Sequence, residues 1–584
     1  FCETIDYRYP WPKYAQICVD EYVAGGMEHT SATTLNLGTL HDDRAHLDVS
    51  SDSLVAHELV HQWWGDLITC KDWAELWLNE GFAVYFTTLW IEHDQGTDEA
   101  LWKRYKEAES YFNEDTKRYR RPIVTYQYES PGKMFDSHSY PKAGRVLHML
   151  RFVLGDEAFF KALRHYCKKH AFAVVETADL RTAVEESTGQ GLNWFFDQWL
   201  YHGGHPEYQV GYEWDQSQKQ LTLTVEQTQE VDDLTPLFRM PIEIDFVTDG
   251  KRTTRRITVS KREETFHFSL PKRPDRVCFD PRDWVLKKLT LQKSREEWLD
   301  QAVAEPNMIC RVRAVQQLGA MTDDRSALAI LAKAAQDDKF WAVRQKAVEA
   351  IAKFGGEDAR KTLLAVAKDD PKSFVRREAI KALAKFSHDR TRAALREIIQ
   401  QDQSYEAVAE ALRSLAQVDR TGCRTDLLAA LNRPSHKEVI LKAAAGGLAD
   451  TKDPQAVERL LPILDAPAPS RRRTAVLSAL AKLGADDPEM LEAIGRQLED
   501  ARYSVRSAAC TALAETGNPA AIDLLLARRD KETHSRTVRA IDESVEKLRE
   551  RQTELGKLNE KLESLQQQNR QLEARIHELE SKDG

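Results

Sequence analysis

Apolar positions in the first two hundred residues recur every 3.6 residues, which predicts helices over 54–64, 77–90 and 143–154 after a short extended start. Past the turn signal Gly203-Gly204-His205-Pro206 the period drops to two. Leu221-Thr222-Leu223-Thr224-Val225 and Ile242-Glu243-Ile244-Asp245-Phe246 alternate, and Asp249-Gly250 predicts a turn between strands. Residues 1–204 are therefore expected to form a mainly α-helical domain, and 205–290 a small antiparallel β-sandwich.

From residue 295 to 535 Ala, Leu, Lys and Arg dominate, and a pattern resembling VRxxAxxAL returns every 31 to 33 residues. Val312-Arg313, Val343-Arg344, Val375-Arg376 and Val505-Arg506 each open a copy, with weaker copies at Val408, Val439 and Arg472. Such a period predicts helix pairs stacked into an α-solenoid, similar to HEAT repeats. The segment 540–584 changes pattern again: Leu555, Leu558, Leu562, Leu565, Asn569, Leu572, Ile576 and Leu579 alternate at spacings of three and four. That is a coiled-coil seam, and a buried Asn569 at an a position fixes register and favours two strands. The alternative is a solitary helix lying on the solenoid, but the polar residues around the seam leave only a narrow apolar stripe.

Composition narrows the picture little. At 584 residues several domains are expected, and 13 Trp concentrated toward the N-terminal third provide for a large core there. A formal net charge of -10 offers no general attraction to nucleic acid or anionic lipid, so neither is an expected partner. Eight scattered cysteines without a Cys-x-x-Cys pair read as reduced thiols. No apolar run is long enough to span a bilayer and the start does not resemble a signal peptide. Because the chain opens at Phe1 within strand-like sequence, an upstream segment is expected; the compartment is left open, with the cytoplasm slightly favoured.

Chemistry enters at His57-Glu58-Leu59-Val60-His61. On a helix, imidazoles four positions apart point from one face toward a single ion, and the carboxylate of Glu58 between them can reach water bound there. A metzincin would need Gly at position 64 and His or Asp at 67, where Trp64 and Leu67 stand. Instead Glu80, in Trp77-Leu78-Asn79-Glu80-Gly81, follows His61 by nineteen residues and can return a carboxylate to the ion. Two imidazoles and one carboxylate leave a fourth tetrahedral position open, the pattern of a catalytic zinc site holding one ion.

These motifs resemble the gluzincin aminopeptidases of the aminopeptidase N and leukotriene hydrolase type, over roughly residues 1–205. Gly25-Gly26-Met27-Glu28-His29 is similar to that family's exopeptidase motif, with His29 in place of Asn, and Tyr140-Pro141-Lys142-Ala143-Gly144 to its Tyr-x-Lys-Gly segment, with Gly and Ala exchanged. The resemblance implies a thermolysin-like gluzincin domain in which His57, His61 and Glu80 hold zinc and Glu58 is the general base. It further implies that Tyr140 steadies the oxyanion, and that Glu28 binds the substrate ammonium on a strand whose Gly25, Gly26 and Met27 line the peptide. Tyr126 and Tyr128 compete for the role of Tyr140, while Asp66, His138 and His148 read as supporting or core residues. The implied activity is zinc-dependent removal of N-terminal residues from peptides. A vestigial scaffold acting through its solenoid and coiled coil is the alternative, and epoxide hydrolysis ranks last. The pattern leaves room for a homodimer through the coiled coil and for a protein partner on the solenoid.

Overall fold

A computed structural model describes residues 1–580 other than 454, 466, 467 and 486; the last four residues of the expected coiled coil, 581–584, lie outside the described residues. The chain divides into two compact units, Phe1–Leu40 with Val49–Ala382, and His41–Asp48 with Leu383–Gly584.

The first unit opens on a short helix, Cys2–Ile5, where strand-like sequence was expected, and then forms a three-stranded sheet of β1 (Ala15–Val19), β2 (Gly26–Met27) and β3 (Ala32–Asn36), in which β3 is central, parallel to β1 and antiparallel to β2. Four helices carry the chemistry and its support: α1 (Asp52–Val60), α2 (Trp77–Asp94), α3 (Thr97–Lys117) and α4 (Ala143–Leu154). Helix α2 is buried on every side from Trp77 to Thr88, as its nearly unbroken apolar run requires of a central helix. It packs closely on α4. A Cβ added at Gly81 would lie 2.7 Å from the Cβ of Ala143, and one at Gly144 would lie 2.7 Å from Val84 Cγ1. Small residues are needed at both levels, so the exchanged order Ala143-Gly144 still serves the crossing. Around this pair Trp64 packs on Phe82 at 4.5 Å and on Tyr166 at 5.9 Å between ring centroids.

Seven further strands follow a short parallel pair, β4 (Ile68–Cys70) with β5 (Ala173–Val175). One sheet runs β10-β7-β6-β12 and the other β11-β8-β9, over β6 (Glu207–Asp215), β7 (Gln220–Gln227), β8 (Met240–Thr248), β9 (Lys251–Val259), β10 (Glu263–Ser269), β11 (Arg276–Phe279) and β12 (Lys288–Leu291). Every pairing is antiparallel except that of β12, which runs parallel to β6. Leu221, Leu223 and Val225 point inward from β7, as period-two alternation demands. Asp249 and Gly250 both take positive φ, the geometry of a two-residue hairpin whose twist matches its strands.

Helices from Arg295 onward stack through a repeated arginine. Arg344 makes two hydrogen bonds to Asp370 of the next repeat, at 2.6 and 2.9 Å, and a third to the carbonyl of Asp338 six residues back. In the first repeat the equivalent residue is Arg311, paired with Asp338, and not Arg313 as the Val-Arg spacing suggests. Arg313 instead reaches Asp283 and the carbonyl of Phe279 beside the sandwich. The second unit uses the same device, with Arg506 on Glu532 at 2.7 and 2.9 Å. It also includes the loop His41–Asp48, where Arg44 stacks on Tyr405 at 4.3 Å and Asp48 accepts from Ser404. The unit ends in one helix, Ser535–Glu580, whose base buries Ile541, Val545 and Leu548, while Leu558, Leu562, Leu565 and Leu572 are all more than half exposed. No helix among the described residues is long and apolar enough to cross a membrane. All eight cysteines are unpaired.

Candidate metal centre and active site

Helix α1 ends one residue before its second histidine. His61 is the capping residue, still with helical φ and ψ, so its side chain keeps the direction that the four-residue spacing assumes. His57 Nε2 and His61 Nε2 lie 3.2 Å apart, and Glu80 Oε2, from the first turn of α2, lies 3.2 Å from the former and 3.3 Å from the latter. Glu80 is 4% exposed, and its Oε2 accepts no hydrogen bond. His61 Nδ1 sits 2.9 Å from the carbonyl of Trp64, a contact that places its proton there and turns the Nε2 lone pair inward. Zinc–ligand distances of about 2.0–2.1 Å imply about 3.3 Å between ligand atoms of a tetrahedral site. The three inward atoms meet that spacing, and the buried Glu80 Oε2 accepts no hydrogen bond, so this donor set fits a zinc ion.

Glu58 faces the same space from the middle of α1 and is buried. Burial raises its carboxyl to about 8; His61 opposes the rise, and Glu28 and Glu80 add to it. Gly26 explains why β2 can run here at all, since a Cβ at that position would collide with the Glu58 carboxylate. Glu28, Glu58 and His61 form a second group of converging polar atoms beside the first. The segment carrying Glu28 is tied to the end of α1 by Gln62, whose Nε2 donates to the Glu28 carbonyl at 3.0 Å and whose Oε1 accepts from Ser31 N at 2.8 Å. Gln62 is a positioning residue that the sequence reading passed over; its place directly after His61 was the available signal. His29, where the resembled motif has Asn, turns to Thr34 Oγ1 at 2.9 Å.

Tyr140 stands on a single π-helical turn, His138–Lys142, in which Lys142 N donates to Ser137 O. Pro141 has no N–H, so the regular ladder cannot continue through it, and the widened turn re-aims the tyrosine. Its ring stacks on His57 at 6.1 Å and 12°. Burial, with Glu80 and Glu28 nearby, pushes its hydroxyl well above the usual phenol range, so it stays a donor. Tyr126 is exposed and bonds to Glu75. Of the three tyrosines, Tyr140 alone lines the cavity of about 630 Å³ into which Gly26, Met27, Glu28, His57, Glu58, His61 and Glu80 also open. Gly25 lies next to Leu54 and outside that lining. Asp66 is half-buried; burial raises its carboxyl to about 7, and Glu28 adds to the rise. His138 is buried on Asp136, 3.2 Å away, and His148 stacks on Trp284 at 4.4 Å. Neither of these histidines opens into the cavity.

Two stretches of the chain are similar to known protein families. Residues 1–199 match the peptidase family M1 domain, and 295–384, 392–481 and 475–545 match HEAT repeats, with 375–401 also similar to the PBS lyase HEAT-like repeat. Aminopeptidase M1 of Arabidopsis thaliana is 34% identical over 220 residues, covering 35% of this chain and 24% of its own length. Aminopeptidase N of Streptomyces lividans is 33% identical over 212 residues, covering 35% and 25%. The chain thus spans about a quarter of the length of these curated relatives. In overall fold it is similar to a crystal structure of Legionella pneumophila aminopeptidase A in complex with aspartic acid, with TM-score 0.67 and 16% identity, covering 94% of this chain and 72% of that one.

Proposed function

We propose, starting from the peptidase family M1 domain over residues 1–199, that this protein is a zinc-dependent aminopeptidase acting on peptides with a free N-terminus. The observation that carries the reading is the convergence of Glu28, Glu58 and Tyr140 on the cavity that also holds the facing atoms of His57, His61 and Glu80. His57, His61 and Glu80 would hold a zinc ion, which would supply Lewis acidity and lower the pKa of water at that position. Glu58 takes the proton from the attacking water and passes it to the leaving amine. Tyr140 donates to the oxygen that gains charge at the scissile carbonyl, a contact worth about 3–4 kcal/mol in comparable sites. Glu28 pairs with the α-ammonium and so restricts the site to chain ends, while the bare backbone of Gly26 admits an extended peptide beside it. The solenoid provides a surface for a protein partner.

The test is hydrolysis of aminoacyl amides of a chromogenic amine by the full-length chain, with chelation, zinc restoration, Glu58→Gln and Glu80→Gln. Expected are zinc-dependent turnover, loss of turnover with retained zinc in Glu58→Gln, and loss of both in Glu80→Gln. One equivalent of zinc bound with no substrate cleaved would shift the reading to the scaffold.

A further inference from the structure

Remote from the cavity, the junction of α2, α3 and α4 gathers buried polar groups that have no hydrogen-bond partner, most of them donors. Tyr85 on α2, Arg104 on α3, and Arg145 and His148 on α4 are each at most 5% exposed. The Tyr85 hydroxyl, Arg104 Nε and Nη1, Arg145 Nε and Nη1, both ring nitrogens of His148 and the indole N–H of Trp284 all lack partners. The rings are neighbours: that of His148 lies 6.4 Å from that of Tyr85 and 4.4 Å from that of Trp284. Burial first, and then the cations of Arg104, Arg145 and Arg151, hold His148 well below the usual imidazole range.

The carboxylates at hand are already committed or out of reach. Glu92 stands 3.6 Å from Arg104 Nη1, beyond hydrogen-bond length. Asp283 takes Arg145 Nη2 at 3.2 Å but also Lys287 at 3.1 Å and Arg313 at 2.9 Å. Asp280 takes Lys287 and Asp156 takes Arg151. Glu107, beside Arg104, takes Lys103 at 2.9 Å, so six cations (Lys103, Arg104, Arg145, Arg151, Lys287 and Arg313) face five carboxylates (Glu92, Glu107, Asp156, Asp280 and Asp283), leaving one positive charge over. An unpaired buried donor is costly, and a charged one more so. Water can satisfy single donors here and the acceptor nitrogen of neutral His148, but it leaves the excess positive charge in place. A monovalent anion brings acceptors alone and cancels the excess charge.

We propose that this junction binds a small monovalent anion of the halide class, held by Arg104, Arg145 and neutral His148 with Tyr85 beside them. The site ties together the helix that carries Glu80 and the helix that continues from Tyr140, so occupancy stiffens the frame of the active site without touching it. Nothing in this assignment depends on the peptidase reading.

Thermal unfolding of the full-length chain in sodium gluconate, with chloride or bromide substituted at constant ionic strength, tests it. The expected result is a saturable rise in Tm with halide concentration, weakened at least tenfold in midpoint concentration by Arg145→Met. Should that variant not fold, bromide anomalous diffraction from the unaltered protein decides: a peak between Arg104, Arg145 and His148 supports the site. Equal Tm in gluconate and halide, an undiminished halide effect in Arg145→Met, or bromide bound only at the surface would overturn it.

Discussion

The backbone of Gly26 lies against the carboxylate of Glu58 so closely that a single added carbon would strike it. β2 and the proposed general base Glu58 therefore share one contact surface, and the absence of a side chain at Gly26 is what lets them meet. Gly26→Ala must push either β2 or the Glu58 carboxylate aside, and displacement on the order of 1 Å costs about a hundredfold in rate at such sites. The expected outcome is a fall of about 10²-fold in kcat/KM with zinc content unchanged, read by amide hydrolysis and metal analysis on the same sample. Turnover within twofold of the unaltered protein would mean that the strand has room to give.

Lys142 supplies a pH signature of the fold. Its side chain is fully buried, its Nζ has no hydrogen-bond partner, and it lies 5.3 Å from the centre of the Tyr111 ring. Burial pushes the ammonium from 10.5 down to about 7, with Asp115 pulling the other way. Between those two values the unfolded chain holds a proton that the folded chain has released. Stability therefore rises with pH across that window, by at most about 1.4 kcal/mol per unit, and the cost of burying the charge is fully present below it. Lys142→Met removes the charge while Asp115 keeps both its bonds to Arg120 Nε and Nη2. The variant is expected to melt higher than the parent at pH 7 and to lose that advantage progressively as pH approaches 10.5. Parallel Tm profiles for the two proteins would contradict it.

Much of the site was legible because metal ligation needs fixed residue types at fixed spacing. His57, Glu58, His61 and Glu80 announce themselves in sequence, and the structure brings their atoms together. Gln62 was less visible, since a glutamine after a histidine has many uses and only the fold shows its amide bridging to Glu28 and Ser31. Arg313 was misread for a similar reason. Val312-Arg313 matches the repeat by spacing, yet Arg311 takes the ladder position, because the first repeat also borders the sandwich and lends Arg313 to Asp283. The cluster of Arg104, Arg145 and His148 left no linear trace, because its members come from two helices forty residues apart and only packing joins them.

The ladder itself can be tested at Arg344 and Asp370, each 8% exposed. Removing one partner of a buried ion pair typically costs about 3–5 kcal/mol, whereas replacing both by apolar residues is often nearly neutral. Arg344→Ala is expected to lower Tm by several degrees, and Arg344→Met with Asp370→Leu to recover most of that loss. Zinc binding by the folded fraction should be unchanged in both. If the double variant is as unstable as the single one, the pair contributes through the carbonyl of Asp338 and not through its charge.

The final helix offers an unpartnered stripe, Leu558, Leu562, Leu565 and Leu572, interrupted by Asn569. A buried Asn at an a position is satisfied best by another Asn directly across, and in a parallel in-register pair a second copy of this chain supplies it by identity. An antiparallel partner would set the amide against an apolar d residue instead. We propose a parallel homodimer through this helix. Light scattering coupled to size exclusion should then return about twice the 66.8 kDa chain mass. Truncation after residue 552 should give the monomer, and Asn569→Leu should tighten the assembly and admit higher orders. A full-length protein that remains monomeric at micromolar concentration would leave the stripe without its second copy, and the homodimer would be rejected.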